Sequence, residues 1–239
     1  MRCLRRSCLV LGLLVPLSLS GQDDVSDHDG RFSFTRVRYG SGLGRGGGSW
    51  AHDYPRADEH LPRILADLTT IRPRLENPPK VLDLEDPRIF LNPILYVSEP
   101  GFWTVTDAGA ANLRAHLLKG GFLLFDDFEG PAQWDNMAAQ MARVLPGHRF
   151  LEIDVRHPIF HSFFEMKRID FPHPLVDVIP SYFAMFEDND PAQRIVVLAN
   201  YNNDLAEYWE WSSTGMFSVG STNEAYKLGV NYIVYGLTH

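Results

Sequence analysis

A strand, a helix and a second strand follow one another between residues 94 and 128, and this unit constrains the fold more than any other stretch. The apolar run 94–97 has the length of a buried strand. Thr106 is a favoured N-cap, and the helix predicted over 107–118 should bury Ala110, Ala111, Leu113, Leu117 and Leu118. Gly120 ends this helix, and the apolar run 122–125 follows. Because strands joined by a helix almost always form a right-handed crossover, the unit predicts a parallel sheet.

Acidic residues come directly after the second strand of this unit, at Asp126 and Asp127. The apolar run 195–199 predicts a central buried strand, and it too leads into polar residues that end at Asp204. In open parallel sheets, ligands bind beyond the carboxyl ends of the strands. We therefore expect these aspartates at one ligand-binding rim. Neighbouring strand residues point to opposite faces, so at most one of Asp126 and Asp127 should face a given pocket.

The remaining periodicity predicts a single doubly wound α/β domain with a mainly parallel sheet, since no repeat and no second core is visible. We expect a signal peptide over residues 1–20, a disordered lead-in over 21–31 and the α/β domain over 32–239. The predicted strands are 32–39, 81–84, 94–97, 122–125, 149–155, 176–179, 182–186 and 195–199, and the predicted helices are 57–69, 107–118, 134–144 and 223–237.

The first twenty residues have the features of a secretory signal peptide. Arginines at positions 2, 5 and 6 precede the apolar run 8–15, and small residues at Ser18 and Ser20 complete a cleavage pattern. The Arg5-Arg6 pair also fits a twin-arginine signal. We expect export to the periplasm or the extracellular space, and a retained membrane anchor is the alternative.

Cleavage would remove both cysteines, Cys3 and Cys8, so the mature domain would contain no disulfide and no thiol nucleophile. Three arginines would also be lost, which leaves 19 of the 22 basic residues against 30 acidic ones, a net charge near −11. An acidic chain without a basic cluster is unsuited to nucleic acid or anionic lipid. We therefore expect no nucleic-acid partner and no membrane contact of the mature domain, and a polar small ligand or a protein as the partner.

Two further stretches invite a functional interpretation. Residues Gly42, Gly44 and Gly47 match the dinucleotide fingerprint by letters, but no helix opens directly after them, so a plain loop is preferred. The segment 50–58 places polar and aromatic side chains before a predicted helix, and a ligand could contact Asp53, Tyr54 and Asp58 there. In the structural alternative, Asp53 caps the helix, and Tyr54 packs on the sheet with Trp50.

Five motifs give the chain a recognisable pattern. They are F-x-F-x-R-x-x-Y at 32–39, W-x-x-D-Y-P-x-A-D at 50–58, G-G-F-x-x-x-D-D at 120–127, H-P-I-F at 157–160 and G-x-N-x-x-x-Y at 229–235. In these motifs the chain resembles the bacterial domain of unknown function 4159. The resemblance implies a flavodoxin-like sheet similar in fold to the class I glutamine amidotransferases, found alone behind signal peptides or fused to membrane segments.

The same resemblance carries a negative implication. In amidotransferase-like folds the nucleophile is a cysteine on a tight turn after a strand, whereas the corresponding strand end here carries Asp126 and Asp127. A serine elbow of the G-x-S-x-G type is also absent from the sequence. We therefore expect neither a glutaminase nor a cysteine or serine hydrolase.

The ligand-binding candidates that remain are Asp53, Tyr54, Asp58, Asp126, Asp127, His157, Asp204 and Trp209. The preferred hypothesis is a non-catalytic pocket for a polar ligand or partner. The alternative is a hydrolase of a sugar- or ester-like substrate, in which Asp126, Asp127 and His157 hold a divalent cation or act as acid and base.

Each candidate also has a structural explanation, such as His157 bonding a helix N-terminus and Trp209 lying in the core. The functional hypotheses require side chains that are distant in sequence to meet. In particular, they require Asp53, Asp127 and His157 to converge within ~5 Å, the range over which titrating groups perturb one another.

Overall fold

The computed structural model of the chain describes residues 29–41 and 49–239. The predicted signal peptide, most of the lead-in and the glycine fingerprint lie outside these residues. In chain order the elements are β1 Thr35–Arg38, β2 Gly40–Ser41, α1 Arg56–Leu68, β3 Lys80–Asp83, β4 Ile94–Ser98, β5 Trp103–Thr104, α2 Asp107–Leu118, β6 Phe122–Phe128, α3 Gly130–Val144, β7 Leu151–Ile153, β8 Ser181–Phe186, β9 Ile195–Tyr201, α4 Leu205–Glu210 and α5 Val219–Thr238.

Seven strands form the main sheet, in the order β3-β1-β4-β6-β9-β8-β7. The first five are parallel, whereas β8 and β7 pair in antiparallel fashion at one edge. Side chains of α1, α4 and α5 pack with one face of the sheet, and those of α2 and α3 pack with the other. This arrangement confirms the predicted doubly wound, mainly parallel, flavodoxin-like α/β fold. Among the described residues, no helix has the length and apolar character needed to cross a membrane.

The crossover helix α2 has the predicted bounds because the residues at its two ends cap it as expected. The Thr106 hydroxyl accepts a 3.0 Å hydrogen bond from the Gly109 N–H, and Gly120 has a left-handed φ of 101° just after the helix. The predicted buried side was partly wrong, because Leu118 is 58% exposed and Ala111 is exposed as well. The helix instead buries His116, whose ring lies beside Gly121, where a Cβ would clash.

The predicted strand over residues 176–179 does not form. This segment pairs with no strand, and Ile179 is 78% exposed. Apolar composition alone does not make a strand, because a strand needs a neighbour whose backbone completes the ladder. The edge position that this segment could have taken is held by β7, which pairs with β8.

A buried ion pair connects the sheet to α1 and to the loop before it. The Arg36 side chain on β1 donates to both carboxylate oxygens of Asp58 on α1, with the shortest contact at 2.6 Å, and both side chains are fully buried. The third guanidinium nitrogen, Nη1, donates to the carbonyls of Trp50 and His52 at 3.0 and 2.8 Å. The guanidinium also lies 4.8 Å from the ring centroid of Tyr96 on β4. Arg36 thus fixes the loop 49–55 against the sheet.

We predict that Asp58→Ala lowers the free energy of unfolding by about 3–5 kcal/mol, because it leaves the buried Arg36 charge without a carboxylate. The matched control is Asp83→Ala, which removes the partner of Arg38 in a pair whose side chains are 53% and 43% exposed. That change should cost under about 1 kcal/mol. Urea unfolding followed by circular dichroism measures both values, and similar losses for the two variants would contradict the role given to Arg36.

Candidate functional site

The carboxyl ends of β4, β6 and β9 meet at one rim of the sheet, and the Arg36-bound loop before α1 lies against the same rim. Four side chains meet there: His52 and Asp53 from the loop, Asp127 from β6 and Asp204 from the start of α4. One potential ligand atom of each lies within 4.8 Å of those of the others. We call these four residues the rim cluster. The three aspartates are buried, whereas the His52 side chain is 44% exposed, so the cluster meets solvent through His52.

Asp127 enters the cluster because the backbone of β6 is irregular there. Its φ is 61°, and the pairing with β9 shifts register between Phe125 and Phe128. Phe125 and Phe128 consequently pack in the same core layer, although strict alternation would place them on opposite faces. The Asp127 carboxylate is released from that layer and accepts hydrogen bonds from His52 at 2.8 Å and from Ser98 at 3.1 Å. Only one of the paired aspartates joins the cluster, as expected. The irregularity in β6, and not a regular alternation of side chains along the strand, determines that this residue is Asp127.

Asp53 is the least satisfied member of the cluster. Its side chain is fully buried, its φ is 62°, and neither carboxylate oxygen has a hydrogen-bond donor. The structural alternative, in which Asp53 caps α1, is wrong, because Pro55 occupies the N-cap position and no side chain caps the helix. Burial, reinforced by the negative charge of Asp127, raises the pKa of Asp53 to about 9.

His52 was missed as a candidate, and it is the exposed member of the cluster. Its Nδ1 lies 2.8 Å from an Asp127 carboxylate oxygen and 3.5 Å from Asp53. The hydrogen bond with Asp127 raises the pKa of His52 to about 10, against the opposing effect of burial. The sequence did offer a signal, since an imidazole stands next to Asp53 in a stretch already considered for ligand contact.

Asp204 has two roles at the rim. It is the N-cap of α4, where its side chain accepts a 2.9 Å hydrogen bond from the Glu207 N–H, and it also belongs to the cluster. Burial, with the charges of Asp127 and Asp53, holds its pKa well above the usual range. Since one cap bond satisfies only part of a carboxylate, Asp204 keeps acceptor capacity for a ligand.

Asp126 lies beside the cluster but is already satisfied. It accepts hydrogen bonds from the Leu205 and Ala206 N–H groups at 2.9 and 3.1 Å, and from Tyr96 and Asn200 at 3.2 and 3.1 Å. Burial is the main reason that its pKa rises to about 7. Asp126 therefore orients the first turn of α4 rather than reaching the cluster.

The other predicted candidates are not members of the cluster. Asp58 is bonded by Arg36, Trp209 is a fully buried core residue, and the Tyr54 hydroxyl donates to the Pro79 carbonyl at 3.0 Å. The expected convergence of His157 with the aspartates is wrong. His157 packs on Phe186, which pairs with the first residue of β9, so it lies at the amino ends of the parallel strands.

His157 instead has the local role considered as its structural explanation. Its Nδ1 accepts a 3.2 Å hydrogen bond from the Ile159 N–H at the start of a 3-10 turn. Ligand contact by the predicted candidates stays a prediction.

His173 is a buried histidine that the sequence analysis did not consider. Its Nδ1 accepts from the N–H groups of Leu175 and Val176, which leaves Nε2 as a buried nitrogen without a partner. Burial lowers the pKa of His173, and the charge of Asp127 acts in the opposite direction. No pattern marked this residue, because it lies in a proline-rich segment without clear periodicity.

Three carboxylates and one imidazole within a few ångströms can be held together in two ways. Either protons neutralise some of the carboxyl groups, as the raised pKa values of Asp53 and Asp204 describe, or a cation does. Oxygen and imidazole ligands at this spacing suit a divalent metal ion. The arrangement is thus chemically able to bind a cation or to move protons.

Comparison with known proteins identifies the family but no activity. The family model described as "Domain of unknown function (DUF4159)" matches residues 33–237, and a search of curated proteins finds no match. The match covers most of the 239 residues and confirms the resemblance seen in the motifs. The chain therefore belongs to the family of domain of unknown function 4159.

Proposed function

We propose that this chain is a divalent-cation-binding α/β domain that uses the bound cation to hold a polar ligand at the carboxyl rim of its sheet. The observation that carries the proposal is the rim cluster, and above all Asp53, whose buried oxygens lack any donor. A buried carboxyl group without a hydrogen bond is costly, and coordination by a metal ion is one way to satisfy its oxygens.

The access to the cluster favours a small occupant. Only His52 of the four residues is substantially exposed, so a cation can reach the aspartates while a large ligand can touch the rim only from outside. A cation with open coordination positions on the His52 side would present those positions to an oxygen of the ligand. This supports binding of a polar ligand, in line with the non-catalytic function preferred from the sequence.

The donor set favours particular metals. Three carboxylates are hard ligands that suit Mg²⁺, Ca²⁺ and Mn²⁺, whereas imidazole suits Zn²⁺ and the later transition metals. Mn²⁺ and Zn²⁺ accept both kinds of ligand, and Mn²⁺ is also visible by electron paramagnetic resonance. Mn²⁺ is therefore the first probe to use.

We predict that Mn²⁺ stabilises the folded protein. At 100 times the dissociation constant, binding to the native state adds about 2.7 kcal/mol. For a domain of this size, that gain raises Tm by about 5–10 °C. Differential scanning fluorimetry after removal of metals with a chelator measures the shift. Asp127→Asn and Asp204→Asn should each abolish most of it.

The control for this experiment is Asp83→Asn, which neutralises an aspartate on the exposed part of β3 and should leave the Mn²⁺ shift intact. Absence of any shift in the wild-type protein with Mn²⁺, Zn²⁺ or Ca²⁺ would overturn the cation proposal. An equal shift in wild type and in both cluster variants would place the cation elsewhere, with the same consequence.

The pKa values give a second prediction, for the cation-free protein. Asp53 and His52 have folded-state pKa values of about 9 and about 10, both above their usual values of 3.8 and 6.5. The folded state therefore binds protons more tightly than the unfolded state, and stability is lost as pH rises toward these values. In the presence of a chelator, the urea midpoint should fall between pH 6 and pH 9.

Asp53→Asn is the matched variant for the pH experiment. It removes the contribution of Asp53, so its urea midpoint should fall less steeply over the same pH range, and it should also lose the Mn²⁺ shift. A midpoint of the wild-type protein that rises from pH 6 to pH 9 would contradict the protonation scheme given for the cluster.

A second candidate function is metal-assisted hydrolysis of a sugar- or ester-like substrate. It is favoured by one observation, the His52–Asp127 hydrogen bond, because a carboxylate-oriented imidazole at a solvent-facing edge can transfer a proton. On this hypothesis, the Mn²⁺-loaded protein should cleave members of a panel of esters, phosphoesters and glycosides. His52→Gln should lower the rate by about 10²–10⁴-fold, the usual value of one acid or base. No turnover of any panel member would leave cation-dependent binding as the better account.

A further inference from the structure

Asp53 belongs to a second acidic set as well as to the rim cluster. Potential ligand atoms of Asp53, Glu207 and Glu210 also lie within 4.8 Å of one another. Glu207 is buried and Glu210 is partly exposed. Asp53 is thus the one residue that these two sets share.

The acidic set alone would not indicate a ligand, but the state of Asp53 does. Both of its oxygens are buried and have no donor, and a potential ligand atom of Glu207 lies within 4.8 Å of one of them. Two ionised carboxylates at this spacing repel each other, and a proton or a cation between them removes that repulsion. Because both oxygens of Asp53 lack a donor, a cation in the rim cluster that binds one of them leaves the other for a second cation.

The two glutamates are also held in fixed positions. They are three residues apart on α4, so they project on the same side of that helix. The first turn of α4 is fixed by hydrogen bonds from its Leu205 and Ala206 N–H groups to Asp126, and from the Glu207 N–H to Asp204. Because Asp204 belongs to the rim cluster, the glutamates have a defined position relative to the first proposed cation.

We propose that a second divalent cation binds between Asp53, Glu207 and Glu210, and that the Asp53 carboxylate bridges it to the cation of the rim cluster. This proposal rests on the proposed function and extends it from one cation to two. The second site has only carboxylate ligands and therefore suits a hard ion such as Mn²⁺ or Mg²⁺. A carboxylate-bridged pair lies about 3.5–4 Å apart and favours a ligand with an oxyanion group that can contact both ions.

The experiment is a titration of the chelator-treated full chain with Mn²⁺ by isothermal calorimetry, with metal content measured after gel filtration. Wild type should bind two equivalents. Glu210→Gln should bind one, because Glu210 takes no part in the rim cluster, and its partly exposed position on α4 makes the change tolerable for folding. Glu152→Gln, on the exposed part of β7, is the matched control and should bind two.

The outcomes separate this proposal from the one on which it rests. No bound Mn²⁺ overturns the proposed function and this proposal together. One equivalent in wild type, unchanged in Glu210→Gln, overturns the second site alone. Two equivalents in both wild type and Glu210→Gln would place the second ion elsewhere and also overturn it.

Electron paramagnetic resonance tests the bridge itself. Two Mn²⁺ ions joined by Asp53 should give a spin-coupled signal in wild type, and Glu210→Gln should give the six-line signal of an isolated ion. Two isolated signals in the wild-type protein at full loading would overturn the bridging role of Asp53.

Discussion

The buried Arg36–Asp58 ion pair is the interaction on which the rest of the site depends. It joins β1 to α1, and the same guanidinium holds the carbonyls of Trp50 and His52. It holds the backbone of the loop that carries His52 and Asp53, whose side chains add the His52–Asp127 hydrogen bond at the rim. A buried pair is weak evidence for net stability but strong evidence for a defined geometry once formed, because removing either partner leaves a buried charge.

Four of the six non-glycine residues with positive φ in the described part of the chain lie at the same rim. Asp53, Glu99, Asp127 and Asn202 all have φ between 46° and 62°, a region that side chains other than glycine rarely adopt. Each such residue costs roughly 1–3 kcal/mol and persists only where the surroundings enforce it. Here two of the four strained residues supply carboxylates to the rim cluster. Backbone strain and a buried carboxyl group without hydrogen bonds occur at the same place, and together they support a ligand-binding site there more strongly than either feature alone.

The sequence predicted the architecture well and the site only in part. The bounds of α2 followed from Thr106 and Gly120, which act locally. Of the five parallel strands, β1 was visible as an alternation of apolar and polar residues and the other four as short apolar runs. The aspartates at the ends of β6 and β9 were identified because polar residues after buried strands share a rim. His157 was placed wrongly, since no local pattern tells which end of the sheet a histidine after an edge strand will occupy. His52 was missed because its place in the site depends on a hydrogen bond with Asp127, a residue 75 positions away in the chain.

The sequence by itself determined which residues form strands and helices and which strand ends carry acids, because caps, glycine turns and apolar periodicity act over a few residues. Only the tertiary structure decided which acids meet. The bulge at Asp127, the Arg36-bound loop and the start of α4 bring together side chains from three separate segments of the chain. Burial then raises the pKa of Asp53 and of Asp204, an effect of the surroundings that no single segment contains.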